Sequence, residues 1–192
     1  LLVNPLTAIS FIELAKKNGH RTIINNASAS TLGKMLVYLC RINNIKLVNI
    51  VSREAQLNAL RDIGAKYILI SDSPDFENEL AVISRKLGAS LFFDAVGGEQ
   101  TEIMIRNSPP GSTIVPYAKL SEKDINIDPR ILIQQNKKIE GFYLGNYTSQ
   151  KSVLQNIKMV NRVRQLMAKD IKINVSGRFS FTDIDKALDY YR

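Results

Sequence analysis

The chain has 192 residues, 45% hydrophobic and 23% charged, with one cysteine, one histidine and a formal net charge of +8. This is ordinary globular usage near the upper end of single-domain size, and it excludes a disordered or low-complexity chain. A lone Cys40 and a lone His20 cannot make an internal disulfide or a four-ligand structural zinc site, so no metal is expected, and no apolar run is long enough to span a bilayer.

Asn4-Pro5-Leu6-Thr7 opens a helix, with Ile9, Phe11, Leu14 and Ala15 at near-helical spacing and Gly19 just past its end. Thr22-Ile23-Ile24 reads as a short strand, and the small-residue loop Asn26-Ala27-Ser28-Ala29-Ser30 follows. A helix from Thr31 to Asn43 places Leu32, Met35, Leu36, Leu39 and Ile42 on one face. The alternation then repeats. Leu47–Val51 is a strand, Glu54–Ile63 a helix closed by Gly64, Tyr67–Ile70 a strand, and Asp75–Leu87 a helix followed by Gly88. Leu91-Phe92-Phe93 is a strand ending at Asp94, and Gly97-Gly98 leads into a helix through about Asn107. Thr113-Ile114-Val115 is a fifth strand, residues 119–129 are irregular, and Lys138–Phe142 is a sixth strand. Ser149–Ala168 reads as one long amphipathic helix with the stripe Val153, Ile157, Val160, Val163 and Met167. A strand-like stretch near Ile173–Phe179 and a last helix from Thr182-Asp183 complete the chain.

Strands that are continuous apolar runs are buried on both faces, and strands separated by helices lie parallel. The expected fold is therefore α/β: a doubly wound, Rossmann-type parallel sheet of about six strands with helices on both faces. Residues 1–175 would form this dinucleotide-binding domain, and residues 176–192 would begin a return segment toward a further domain.

In such a sheet a pyrophosphate sits at the first helix N-terminus, where free amides and the helix dipole favour negative charge. The usual G-x-G-x-x-G is absent; counting back from Gly33, Ser28 and Ser30 occupy the other two glycine positions. Both are small enough for close approach, and the Ser30 and Thr31 hydroxyls can donate to phosphate oxygens. The same residues also fit a plain helix N-cap built by Ser30. About 20 residues after Gly33 the second strand ends in Val51-Ser52-Arg53, where an acid would hold the ribose of NAD. A hydroxyl and a guanidinium suit a 2′-phosphate instead, which favours NADPH over NADH. The alternative is that Ser52 caps the next helix and Arg53 is solvated, with Glu54 beside it.

Six segments in this order resemble the cofactor domain of medium-chain dehydrogenase/reductases, in the zinc-free branch of quinone oxidoreductases and 2-enoyl thioester reductases. They are Val3–Ala8, Asn26–Gly33, Ile63–Ala65, Asp94–Gly98, Pro110–Ser112 and Gly141–Leu144. The resemblance implies that Asn4 touches the nicotinamide side and that Ala29, Ser30, Thr31 and Leu32, with Gly33, cradle the pyrophosphate. Ser52 and Arg53 would face the adenosine ribose. Asp94, Val96 and Gly97 would form a further turn at the site. Tyr117, Ala118, Lys119 and Leu120 would border the nicotinamide half, and Phe142, Tyr143 and Leu144 would hold its ring. Each of these has a structural alternative: Phe142 and Leu144 as sheet-edge core, Tyr117 as a turn residue, Asp94–Gly98 as a helix start.

The resemblance also implies a preceding barrel-like domain that supplies much of the substrate pocket. The start at Leu1 without Met and the ending at Arg178–Arg192 fit a chain cut from such a partner. No catalytic residue is assigned, and alone this domain would bind the cofactor and turn over little. The expected partners are a small-molecule substrate and a second copy, a homodimer joined near Lys138–Leu144, with no nucleic acid and no membrane. The net charge fits an anionic ligand or simply a solvated lysine-rich surface, and the basic residues form no stripe with interleaved aromatics. The cytoplasm is the expected compartment. Two other functions compete: a dinucleotide-binding or regulatory module without chemistry, and a small-molecule methyltransferase. The latter would want an acid at the end of the second strand and a glycine-rich first loop, and Ser52-Arg53 and the Ser/Thr loop argue against it.

Overall fold

The computed structural model describes residues 2–169, 177 and 179–191. Six parallel strands form one sheet in the order β3-β2-β1-β4-β5-β6. They are β1 Thr22–Asn25, β2 Lys46–Val51, β3 Tyr67–Ile70, β4 Leu91–Asp94, β5 Thr113–Pro116 and β6 Lys138–Ile139. The order reverses between β1 and β4, whose register pairs Ile24 with Phe92 and Asn25 with Phe93. In open α/β sheets that reversal opens a crevice at the carboxyl ends of the strands.

Alternate residues of each strand supply the two cores. Ile23, Leu47, Val51, Leu91, Phe93 and Val115 pack with helices α1 (Val3–Lys17), α2 (Thr31–Ile42) and α8 (Val153–Lys169). Ile24, Val48, Ile50, Phe92 and Ile114 pack against α4 (Phe76–Leu87) and α5 (Glu99–Asn107). Helices therefore cover both faces, as the sequence predicts for strands apolar on both sides. Phe11 of α1 stacks on Phe93 with ring centroids 3.8 Å apart, which seats α1 on the sheet centre.

Several elements differ from the sequence expectation. Glu54–Gln56 is a 3-10 turn, and only Leu57–Arg61 (α3) is α-helical. The ladder of β6 is short, yet the amides of Glu140 and Phe142 still donate to Ile114 O and Pro116 O at 2.9 and 2.8 Å. The chain thus stays extended to Phe142 as an edge with a neighbour on one side. Pro129–Gln135 forms an additional helix, α6, started by Asp128, whose side chain accepts from Arg130 N, with proline in its first turn. The expected helix over 149–168 is α8, which starts only at Val153, and a separate short helix, α7 (Leu144–Ser149), precedes it. Of the expected stripe, Val163 is buried but Val153 and Ile157 are exposed, and Met159 and Leu166 are buried in their place. The boundary at residue 175 lies outside the described residues, as does the strand-like stretch near 173–179 apart from residues 177 and 179. The closing helix is present as α9 (Ile184–Tyr191) after a 3-10 turn at Phe181–Asp183.

Lys137, at the entrance to β6, is 4% exposed, and its ammonium donates to Ile105 O at 2.6 Å in the last turn of α5. A cation there satisfies orphan carbonyls and complements the helix dipole. Burial pulls its pKa below the ordinary lysine range. Lys137→Met keeps the stem and removes the charge; a loss of about 1–2 kcal/mol in urea denaturation is the expected result.

Candidate cofactor site

The loop after β1 is built around a close backbone approach. Gly33, in the first turn of α2, sits directly on Ser28: a Cβ there would lie 2.5 Å from Ser28 Cα and closer still to its carbonyl oxygen. The surface that this position meets is the loop backbone. Ser28 is itself fixed, its amide donating to Ile50 O at 3.1 Å and its hydroxyl to Asn25 O at 2.7 Å. Ser30 caps α2 by accepting from Gly33 N at 3.2 Å. The first helical amides, Thr31 and Leu32, have no carbonyl within the helix to receive them. Ser30 and Thr31 are exposed, Ala29 is half-buried, and Leu32 and Gly33 are buried. The capping and phosphate-binding readings are therefore compatible: the cap uses Gly33 N, and the two preceding amides stay open.

Across the crevice, a buried network holds the turn after β4. Asp94 and Asn26 are both 0% exposed. Asp94 accepts from Asn26 Nδ2 at 2.5 Å, from Val96 N at 2.9 Å, from Gly97 N at 3.0 Å and from the Thr101 hydroxyl. Asn26 also accepts from Ala95 N at 2.6 Å, which ties the ends of β1 and β4 together. The Gly97-Gly98 turn has φ of +75° and +57°, a left-handed backbone that glycine adopts without strain. Asp94 is thus the organiser of this turn, and its enclosed carboxylate offers nothing to a ligand. Asn25, Asn26 and Thr101 belong to the same scaffold and were not singled out from the sequence. The available signal was a pair of asparagines ending an apolar strand.

The segment after β5 lies on that turn, with Leu120 N donating to Ala95 O at 3.0 Å and Ser121 N to Val96 O at 2.9 Å. Ala118, Lys119 and Leu120 are exposed, and Lys119 pairs with Asp124 at 2.7 Å. Tyr117 packs edge-on against Phe11, and its hydroxyl reaches Asn25 Oδ1 at 3.4 Å. Burial, and then the Asp94 charge, push its pKa above the ordinary tyrosine range, so it remains a neutral donor. After β6, Phe142 lies 5.0 Å from Phe11 in edge contact, which places its ring in the core, while Tyr143 is 69% exposed. Leu144 begins α7 and is half-buried. At the end of β2, Gln56 Oε1 accepts from Ser52 N at 3.1 Å, and Arg53 is exposed. Asn4 is exposed on the first turn of α1, whose other end feeds β1, so that turn lies toward the carboxyl ends of the strands.

The sequence pattern of the family described as zinc-binding dehydrogenase matches residues 31–161, which contain the phosphate loop's helix, the β4 turn and the edge strand. The chain belongs to that family. It is a cofactor-binding domain of the medium-chain dehydrogenase/reductase type. An Arabidopsis thaliana protein named mitochondrial enoyl-[acyl-carrier-protein] reductase is 24% identical over 195 residues, covering 98% of this chain and 52% of its own length. A Caenorhabditis elegans protein of the same name is 28% identical over 198 residues, covering 97% of this chain and 55% of its own. A Mesorhizobium loti crystal structure, assigned provisionally as an NADPH:quinone reductase, superposes with a TM-score of 0.81 at 28% identity, over 88% of this chain and 49% of that one. The chain thus spans about half the length of the curated relatives it matches.

Zinc, named in the family description, does not fit this medium-chain domain's described residues, where no three His, Cys, Asp or Glu side chains cluster as ligands. Cys40 is buried in the core with its thiol pKa pushed up by burial, and His20 bonds Ser90 at 2.9 Å at the opposite end of the strands. Among the described residues no helix is long and apolar enough to cross a membrane.

Proposed function

We propose that this domain binds NADPH in preference to NADH, as the cofactor-holding part of a reductase that delivers hydride to a quinone or to an activated enoyl double bond. The observation that carries this reading is the open start of α2 at the strand reversal, with the Thr31 and Leu32 amides unclaimed and Arg53 exposed at the end of β2, the strand next to β1. The names of the relatives, enoyl-[acyl-carrier-protein] reductase and NADPH:quinone reductase, support it.

Bound dinucleotide supplies the hydride. The chain's own residues bind and orient. Thr31 and Leu32 amides, with the Ser30 and Thr31 hydroxyls and the small Ala29, receive the pyrophosphate. Arg53, beside Ser52, receives the 2′-phosphate through charge-assisted bonds. Val96, Gly97 and the Tyr117–Leu120 segment wall the far half, with Tyr143, Leu144 and Asn4 at its rim. No general acid or base is assigned among these groups, and the substrate is a small molecule held with the rest of the protein.

Calorimetric titration with both dinucleotides tests this. Arg53→Ala is expected to weaken NADPH by about 10-fold to 100-fold, the worth of a hydrogen bond to a charged group, and to leave NADH binding unchanged. Failure of the unaltered chain to bind either dinucleotide sinks the reading. Assays of the full-length protein with enoyl thioesters and quinones then choose between substrates.

The exposed edge of β6, at Lys138 and Ile139, is suited to pair with a second copy in a homodimer. The cytoplasm suits a chain with one buried thiol; the relatives' names place those proteins in mitochondria, and localising the tagged full-length protein decides.

A further inference from the structure

The short helix α7 follows the edge strand and carries Tyr143 and Leu144 at its start. Its six residues are too few to hold a helix by backbone bonding alone, so its position depends on side-chain anchors. At one end, Phe142 N is tied to Pro116 O at 2.8 Å. At the other, Tyr147 lays its ring 5.5 Å from Phe142 and donates its hydroxyl to Glu13 Oε2 of α1 at 2.8 Å. Lys151, just past α7, meets the same Glu13 oxygen at 2.9 Å and stands 4.6 Å over the Tyr147 ring. Glu13 and Lys151 are 30% and 20% exposed at their side chains, so water screens this trio less than it would a surface pair.

A second feature fixes what α7 presents. A Cβ at Gly145 would lie 2.6 Å from the Tyr143 ring, so the ring folds across the first turn of α7 where glycine leaves room. Tyr143 is thereby held by the helix, and the helix by Glu13.

We infer that Glu13, Tyr147 and Lys151 form a positioning clip that sets the nicotinamide-side wall at Tyr143 and Leu144, without touching the cofactor themselves. This rests on the NADPH reading above and adds a division of labour: the adenosine half is held by α2 and Arg53, and the nicotinamide half depends on a clip lower on α1. Burial and the adjacent Glu13 raise the Tyr147 pKa above its ordinary range, so its hydroxyl stays a donor.

Tyr147→Phe keeps the ring and removes the bond to Glu13. In the full chain, NADPH is expected to weaken about fivefold to tenfold, less than the full worth of a hydrogen bond to a charged acceptor, because the bond sets the wall and does not touch the cofactor. Binding of 2′,5′-ADP, which carries only the adenosine half, should stay within about twofold. Hydrogen exchange without ligand should quicken over residues 144–149 and stay unchanged over α2. Glu13→Gln keeps an acceptor and should fall between the unaltered chain and Tyr147→Phe. Equal weakening of NADPH and 2′,5′-ADP would indicate general destabilisation and overturns the clip, as does unchanged NADPH binding with unchanged exchange. An unaltered chain that binds neither probe is a separate outcome, which removes the cofactor reading and this inference with it.

Discussion

Gly33→Ala is expected to lower stability by about 3 kcal/mol, the upper end for overpacking a tight contact, and to abolish measurable NADPH binding. The added methyl would meet Ser28 backbone atoms, Cα at 2.5 Å and carbonyl carbon at 2.6 Å. No flexible side chain is there to move aside. Ser28 is held by Ile50 O through its amide and by Asn25 through its hydroxyl, so the loop resists displacement from two strands. The start of α2 must move instead, taking with it the Thr31 and Leu32 amides. Helix propensity runs the other way, since alanine is favoured over glycine in a helix by about 1 kcal/mol. A net loss therefore isolates the clash. Gly141 is the control: its Cβ would meet nothing within 4 Å, and Gly141→Ala should be neutral in both urea denaturation and NADPH titration. A Gly33→Ala chain as stable as the original would mean that loop and helix separate freely, which removes the rigid cradle.

Gly33 also marks what the sequence can disclose. Its spacing from Ser28 and Ser30, after an apolar strand and before an amphipathic helix, is local and follows from known periods, so loop and helix could be placed directly. Tyr67–Ile70 and Leu91–Asp94 were legible for the same reason: a strand buried on both faces is a short run of apolar residues. Elements at the margin were harder. The α8 stripe is legible only in part: Val163 is buried as expected, but Val153 and Ile157 are apolar yet exposed, and only packing against α1 selects Met159 and Leu166. The break between α7 and α8 lies at Gln150–Ser152, where no proline or glycine announces it. The helix at Pro129 did carry a signal, an Asp-Pro start, but within a polar stretch that reads as loop. The scaffold beneath the site was the least legible part. Asn26 and Asp94 are 68 residues apart, and no periodicity links two polar residues on different strands.

That scaffold yields the second large expectation. Asp94→Ala should cost about 3 kcal/mol or more, because it leaves several buried donors without an acceptor at about 1–3 kcal/mol each. Val96 N, Gly97 N and the Thr101 hydroxyl all lose their partner, and Asn26 Nδ2 retains only Gln100 Oε1 at 3.2 Å. The damage should also spread along the edge of the sheet. The segment after β5 is hung on this turn through Ala95 O and Val96 O, so Lys119 and Leu120 lose their support when the turn relaxes. Asp94→Asn separates charge from shape. It keeps one carbonyl oxygen for Asn26 and the two backbone amides, and turns an amide toward Thr101, whose hydroxyl can accept as well as donate. A cost of about 1 kcal/mol is expected, the usual worth of a hydrogen bond exchanged for a weaker one. Urea denaturation of the two variants, with hydrogen exchange at residues 95–98 and 117–121, reads both effects. If Asp94→Ala matched Asp94→Asn in stability, the carboxylate would be a bystander, and the turn would owe its shape to Gly97 and Gly98 alone.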